Sequence, residues 1–255
     1  MIMKSAVRIA RIAAVALPAA AVTLVAGCSN SSSPDSSLKA PCAVIVDGSR
    51  SGSVFDASTR VKQTLQPFLA QYSCKQLAFV PLNASSVGSV CYMPTLDLSP
   101  SLSGDSDTET VIAERRGFAL TQAQKELACA RSRQPALSNG SDVLGALRRA
   151  QDNRPGGPAP YHVLVVSDMI ETETQGPVDL YDGAQYSTPA RRAALLSELN
   201  SENQIPDMHG MSLDITDLGA GLRNPVSSVN FAAFWAALFA SSTAGHPQLI
   251  PPIRT

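Results

Sequence analysis

Charge is scarce in this chain, at 16% of 255 residues, and aromatic residues make up only 5%. No block of lysine and arginine remains beyond the first dozen residues, so the chain has no basic footprint of the kind that holds nucleic acid. Its surface is expected to be rich in Ser, Thr and Gln and not strongly charged. No Cys-x-x-Cys pair occurs, and the three histidines, His162, His209 and His246, are scattered, which argues against a zinc site. No internal repeat is visible. The apolar run from Ile12 to Ala26 has about 15 residues, short of the roughly 20 that a membrane-spanning helix needs.

What the amino terminus does have is Lys4, Arg8 and Arg11 ahead of that run, which closes with Leu24-Val25-Ala26-Gly27-Cys28. This pattern resembles a bacterial lipoprotein signal peptide with its lipobox. Residues 1–27 are then expected to be removed, leaving Cys28 as a lipid-bearing amino terminus. Two or more acyl chains on that cysteine suffice for stable anchoring, whereas a single chain binds only marginally. The expected location is the extracytoplasmic face of the cell membrane. Loss of three basic residues takes the net charge from −1 to near −4. Residues 28–40 are Ser-rich without apolar periodicity and read as a flexible tether.

Once Cys28 is assigned to lipid, Cys42, Cys74, Cys91 and Cys129 remain, an even number in an oxidising compartment. Two disulfides are expected, with all three pairings open. Each would contribute on the order of 2–4 kcal/mol. The remaining length suits one large domain, assigned to residues 41–245, with residues 246–255 as a tail.

Along that domain, short apolar runs alternate with helical periodicity. Ala43 to Val46 reads as a buried strand. Asp56 or Ser58 then offers a cap for a helix carrying Val61, Leu65, Phe68 and Leu69. Gln76 to Leu82 is a second strand, ended by Pro81. Good helix formers run from Thr110 to Arg133, and another helix follows Ser141. His162 to Val166 is the strongest buried-strand signal, its continuous apolar run suiting a central parallel strand. Thr188 to Asn200 reads as helix and Met211 to Leu218 as strand. The closing helix, Ser228 to Ser241, holds Phe231, Phe234, Trp235, Leu238 and Phe239, an aromatic stripe read as core. This alternation implies an α/β fold with a doubly wound, mostly parallel sheet flanked by helices.

Three loops carry the chemistry. The first strand breaks into Asp47-Gly48-Ser49-Arg50-Ser51, an Asp-x-Ser-x-Ser spacing. Ser141 enters a helix in Gly140-Ser141-Asp142-Val143-Leu144-Gly145-Ala146-Leu147. Asp168 ends the central strand in Val165-Val166-Ser167-Asp168. In this order the three resemble the metal-ion-dependent adhesion site of von Willebrand factor A domains. The resemblance covers Ala43 to about Ser242 and is specific at these motifs. It implies the Rossmann-like fold of that family, an antiparallel edge strand at Ser86 to Tyr92, and Asp47, Ser49, Ser51, Ser141 and Asp168 as ligands of Mg²⁺ or Mn²⁺.

An oxygen set of two carboxylates and neutral hydroxyls suits a hard cation and leaves positions to water. An acidic group from a partner can replace one of those waters. The resemblance therefore implies a receptor for a protein or envelope ligand offering an acidic group. Three departures from the family pattern stand out: Ser141 for Thr, Met169 for Gly, and Arg50 between the two serines. Glu171 and Glu173 lie just beyond Asp168, either near the ion or in solvent. No general base, nucleophile or histidine pair accompanies the set, so an enzyme is not expected. A phosphatase using Asp47 as nucleophile would want a carboxylate two residues on, where Ser49 stands. The other reading is a metal-free structural or assembly module of the envelope.

Overall fold

The computed structural model describes residues 38–99, 108–133, 140–172, 178–222, 224–242 and 248–250. Cys28, the signal-peptide assignment, nearly all of the tether and Glu173 lie outside the described residues. The architecture follows from two continuous apolar strands. β1 (Ala40–Asp47) is buried at every position, and β4 (Tyr161–Val166) at all but His162. A strand with no polar face needs cover on both sides, which only a sheet sandwiched between helices supplies.

The remaining elements provide that cover: α1 (Arg50–Val54), α2 (Ala57–Gln71), β2 (Cys74–Leu82), β3 (Leu96–Asp97), α3 (Thr108–Ser132), α4 (Val143–Asp152), α5 (Pro189–Ser201), β5 (Met211–Thr216), α6 (Pro225–Ser241) and β6 (Gln248–Ile250). Among the described residues the sheet has six strands in the order β3-β2-β1-β4-β5-β6, all parallel except the β2–β3 pair. The fold is thus α/β, with a mostly parallel sheet of Rossmann-like order.

Two apolar clusters lie on opposite faces. One gathers Val61, Leu65 and Leu69 of α2 with Ala119, Ala123 and Leu127 of α3 against Val44, Val46 and Leu164. The other packs α4, α5 and α6 on Ile45, Val163, Val165 and Leu213. The aromatic stripe of α6 lies in this second cluster, with Phe231, Trp235 and Leu238 essentially without solvent exposure. Trp235 Nε1 donates to the Met169 carbonyl at 3.1 Å, tying α6 to the loop that follows β4.

Helix starts follow local chemistry. Asp56, not Ser58, caps α2 by accepting from Thr59 N, and Thr188 caps α5 by accepting from Arg191 N. α6 begins at Pro225, three residues before the sequence reading, because Asn224 caps it and proline suits the first turn.

The edge strand needs correction. Residues 86–92 form turns and irregular backbone, and the antiparallel partner of β2 is Leu96–Asp97, paired with Leu77 and Gln76. The 83–92 segment instead wraps side-chain and backbone groups around α4, as described below. β6 pairs with β5 and lies in the stretch first read as a tail. β1 likewise takes in Ala40, the last residue assigned to the tether.

Both disulfides form, as Cys42–Cys74 and Cys91–Cys129. The first staples β1 to β2, and the second holds the 83–95 segment to the last turns of α3. They are 32 and 38 residues apart in sequence. Loop-closure entropy over such spans corresponds to about 4 kcal/mol each.

Candidate metal centre

Strand order reverses between β1 and β4, because β2 and β3 extend the sheet one way and β5 and β6 the other. In an open parallel sheet this switch point leaves a crevice outside the carboxyl ends of the two strands. Val46 and Val166 are the last residues paired between β1 and β4. The next residues are Asp47 on one strand, and Ser167 and Asp168 on the other.

Hydrogen bonds join them directly. Ser167 Oγ donates to Asp47 Oδ2 at 2.6 Å, and Met169 N donates to Ser167 Oγ at 2.9 Å. Asp47 Oδ1 accepts from Ser49 N at 2.9 Å and Ser49 Oγ at 2.5 Å. Ser49 Oγ lies 3.0 Å from Ser51 Oγ, and Ser51 Oγ donates to Asp168 Oδ1 at 3.2 Å. Ile170 N also donates to Asp168 Oδ1, at 3.1 Å. Four of the five proposed ligands therefore form one chain of contacts.

The backbone that carries them is tightly placed. Gly48 N donates to the Leu82 carbonyl at 2.8 Å. A side chain at Gly48 would run into Ala130 and come within 2.7 Å of Arg131 N, so α3 seats the loop. At Gly52 a Cβ would meet the Asp47 carbonyl and lie 2.9 Å from Asp47 Oδ1. Ser49 caps α1, fixing the turn that brings Ser51 inward. Met169 adopts left-handed backbone at φ 62, the conformation glycine takes without strain. The chain thus turns here as a glycine would, with a buried side chain in its place.

Ser141 reaches the same edge by another route. Its carbonyl accepts from Thr172 N at 3.0 Å, which pairs it with the strand-like segment after Asp168. Asp142 then caps α4, accepting from Gly145 N at 2.7 Å through Oδ1 and from Ser86 N at 2.7 Å through Oδ2. Arg149 completes that junction by donating to the carbonyls of Ser86, Ser89 and Cys91 at 3.0, 3.0 and 2.7 Å.

Electrostatics make this edge demanding. Asp47 is fully buried, and burial raises its pKa against the hydrogen bonds of Ser167 and Ser49 and the field of Arg131. Asp168 is pushed up to about 7, first by burial and then by the Asp47 charge. The Ile170 N–H and the Ser51 hydroxyl hold it down, and Asp217 adds a smaller upward push. Asp217 is itself raised by burial, and Arg60 Nε pairs with it at 3.0 Å. Two buried carboxylates at one switch point require a proton or a cation between them.

Two observations bear on whether a cation fits this donor set. Asp168 Oδ2 and Ser141 Oγ are buried and without a hydrogen-bond partner. A Cβ at Gly221 would lie 2.7 Å from Asp168 Oδ2, so a larger residue there would press on that carboxylate. Among the described residues no group of three or more His, Cys, Asp or Glu is placed to hold a metal. The set offered is two carboxylates with hydroxyls, the hard oxygen chemistry of Mg²⁺ or Mn²⁺.

Other residues sort plainly. Glu171 is buried, and its Oε2 accepts from Leu144 N at 2.8 Å, so it serves the amino end of α4 rather than facing solvent. Arg50 is exposed at the start of α1. Ser167 was not singled out from sequence, although it lies beside Asp168 at the end of the strongest strand. Gly221 gives no local signal at all.

No family model and no curated protein matches this chain. Among solved structures, the human COPII-coat protein Sec24c is similar over 83% of this chain at 10% identity, with a TM-score of 0.38. The match spans 29% of that protein's chain.

Proposed function

We propose that this chain is a lipoprotein anchored through Cys28 on the extracytoplasmic face of the membrane, with a von Willebrand A-like domain that binds a protein or envelope ligand through Mg²⁺ or Mn²⁺. The observation supporting this reading is the buried, unpartnered Asp168 Oδ2 at the end of the hydrogen-bonded set of Asp47, Ser49 and Ser51, with a second unpartnered oxygen, Ser141 Oγ, at the start of α4. Unpaired buried polar atoms are costly, by about 1–3 kcal/mol each. A cation coordinated by both oxygens would offset that cost.

Asp47 and Asp168 supply the negative charge, while Ser49, Ser51 and Ser141 supply neutral oxygens. A bound Mg²⁺ would supply an electron-poor coordination position to which an acidic group of the partner adds. Ser167 holds Asp47 Oδ2, and the Ile170 N–H holds Asp168 Oδ1, so both carboxylates are oriented before any ion arrives. The role is recognition without catalysis.

The test is thermal melting of the purified protein in EDTA, Mg²⁺ and Mn²⁺, beside an Asp47→Asn/Asp168→Asn variant. A ligand that binds only the folded state at a hundred times its Kd stabilises by about 2.7 kcal/mol. For a domain of this size that raises Tm by about 5–10 °C. The variant should not respond, and an unresponsive wild type overturns the reading. The Ser49–Ser51–Asp168 hydrogen bonds, which satisfy those groups without an ion, favour a second reading as a metal-free module.

A further inference from the structure

Four of the five candidate ligands are shut away from solvent: Asp47 and Asp168 are 0% exposed, Ser141 1% and Ser49 2%. A cation, and still more an acidic group that adds to it, reaches such a set only if part of its cover moves. Over Asp168 that cover is the turn after β5, residues 217–222. A Cβ on its Gly221 would stand 2.7 Å from Asp168 Oδ2, and its Gly219 N donates to the Asp168 carbonyl at 2.8 Å.

The turn is built to move as a unit. Its internal hydrogen bonds, Ala220 N to the Asp217 carbonyl at 2.8 Å and Leu222 N to the Gly219 carbonyl at 2.9 Å, travel with it. Ala220 at its tip is exposed. Asp217 and Gly219 take left-handed backbone, at φ 61 and 70, which costs a residue other than glycine. On one side Leu218 and Leu222 pack on the apolar cluster under α6. On the other, Asp217 Oδ2 forms an ion pair with Arg60 Nε at 3.0 Å, the two side chains being 2% and 15% exposed. Arg60 stands in the first turn of α2, which packs on the opposite face of the sheet. The pair thus ties the turn across the sheet edge, next to the carboxylate it covers.

We infer that the 217–222 turn is a lid on the candidate cation site and that the Arg60–Asp217 ion pair is its latch, with Arg60 a positioning residue that governs how fast a divalent cation enters and leaves. The inference rests on the cation reading above. A pair buried to this degree lies between exposed pairs, which contribute little, and fully buried ones, whose rupture is costly. Its loss favours the open turn by about tenfold.

The experiment uses the full chain with Arg60→Gln and, separately, Asp217→Asn, since asparagine tolerates the left-handed backbone. Hydrogen exchange at the Gly219 N–H, followed by NMR in EDTA, should be about tenfold faster in both variants, with β1 amides unchanged. Release of Mn²⁺ into an excess of a fluorescent chelator, by stopped flow, should also be about tenfold faster in both. Arg60→Lys, which can remake the pair, should fall nearer the wild type. A purely electrostatic role predicts opposite signs instead: slower release from Arg60→Gln, which leaves Asp217 uncompensated near Asp168, and faster release from Asp217→Asn. That pattern would overturn the latch, as would unchanged exchange at Gly219 or exchange that rises equally throughout the sheet. If the wild type binds no Mn²⁺, the cation reading fails, and the gating role fails with it whatever Gly219 does.

Discussion

Glu126 is the most exposed to test of the groups outside the cation site. It lies on the inward face of α3 with Ala119, Ala123, Leu127 and Ala130, is fully buried, and has no hydrogen-bond partner for either carboxyl oxygen. Burial pushes its pKa up to about 7, and the field of Arg149 only partly offsets this. That guanidinium is already engaged with the carbonyls of Ser86, Ser89 and Cys91. In the unfolded chain the carboxyl titrates near 4.5. Between those values the folded state holds a proton that the unfolded state has lost. Stability from this group is therefore complete below about pH 4.5 and is lost as pH rises through 7.

The full gap corresponds to about 3 kcal/mol, and water reaching the opened carboxylate lowers it to about 2. Glu126→Gln keeps the shape and removes the titration. Melting of wild type and variant is to be compared from pH 5 to pH 8.5. The variant should exceed the wild type by only about 1–2 °C at pH 5, just above the unfolded-state value, and by about 4–8 °C at pH 8.5, from about 2 kcal/mol in a domain of this size. Comparing the two proteins cancels the titrations of Asp168, Asp214 and Asp217, which are common to both. A difference that does not change with pH would refute the reasoning.

Ser141→Ala should leave the cation-free protein as stable or slightly more stable, because it deletes a buried hydroxyl without a partner, while weakening Mg²⁺ binding about tenfold; melting in EDTA and calorimetric titration measure the two effects. Gly221→Ala places a methyl against Asp168 Oδ2 and Ile170 Cδ1 and should abolish the Mg²⁺ response, read as loss of the melting shift. Asp142→Ala removes both the α4 cap and the acceptor for Ser86 N, and should cost about 2 kcal/mol by chemical denaturation. Cys91→Ser/Cys129→Ser should lower stability by about 2–4 kcal/mol under the same assay.

How much of this was legible in the sequence depends on where each signal resides. Ala43 to Val46 and His162 to Val166 announced the centre of the sheet because a strand buried on both faces must be apolar throughout. The edges did not announce themselves. β3 and β6 have two and three residues, and their pairing with β2 and β5 comes from tertiary contact, not local pattern. The convergence of Asp47, Ser49, Ser51 and Asp168 was readable because Asp47 and Asp168 follow the last residues paired between two neighbouring parallel strands, and Ser49 and Ser51 follow Asp47 in the same loop and first helical turn. Ser167 carries a weaker signal, as the polar residue that follows Val166 where Asp47 follows Val46 in the parallel register. Glu171 could not be assigned, since its acceptor role depends on Leu144 N, 27 residues away. Glu126 had a signal too, sharing a helical face with three alanines.

On the proposed reading Asp47, Ser49, Ser51, Ser141 and Asp168 together hold one divalent cation. Titration of the purified protein with Mn²⁺, followed by electron paramagnetic resonance of the free ion, tests it most directly. One Mn²⁺ should bind per chain, be displaced by Mg²⁺ and be lost in Asp168→Asn. Mn²⁺ that stays free with the wild type, or binds equally to Asp168→Asn, would contradict it.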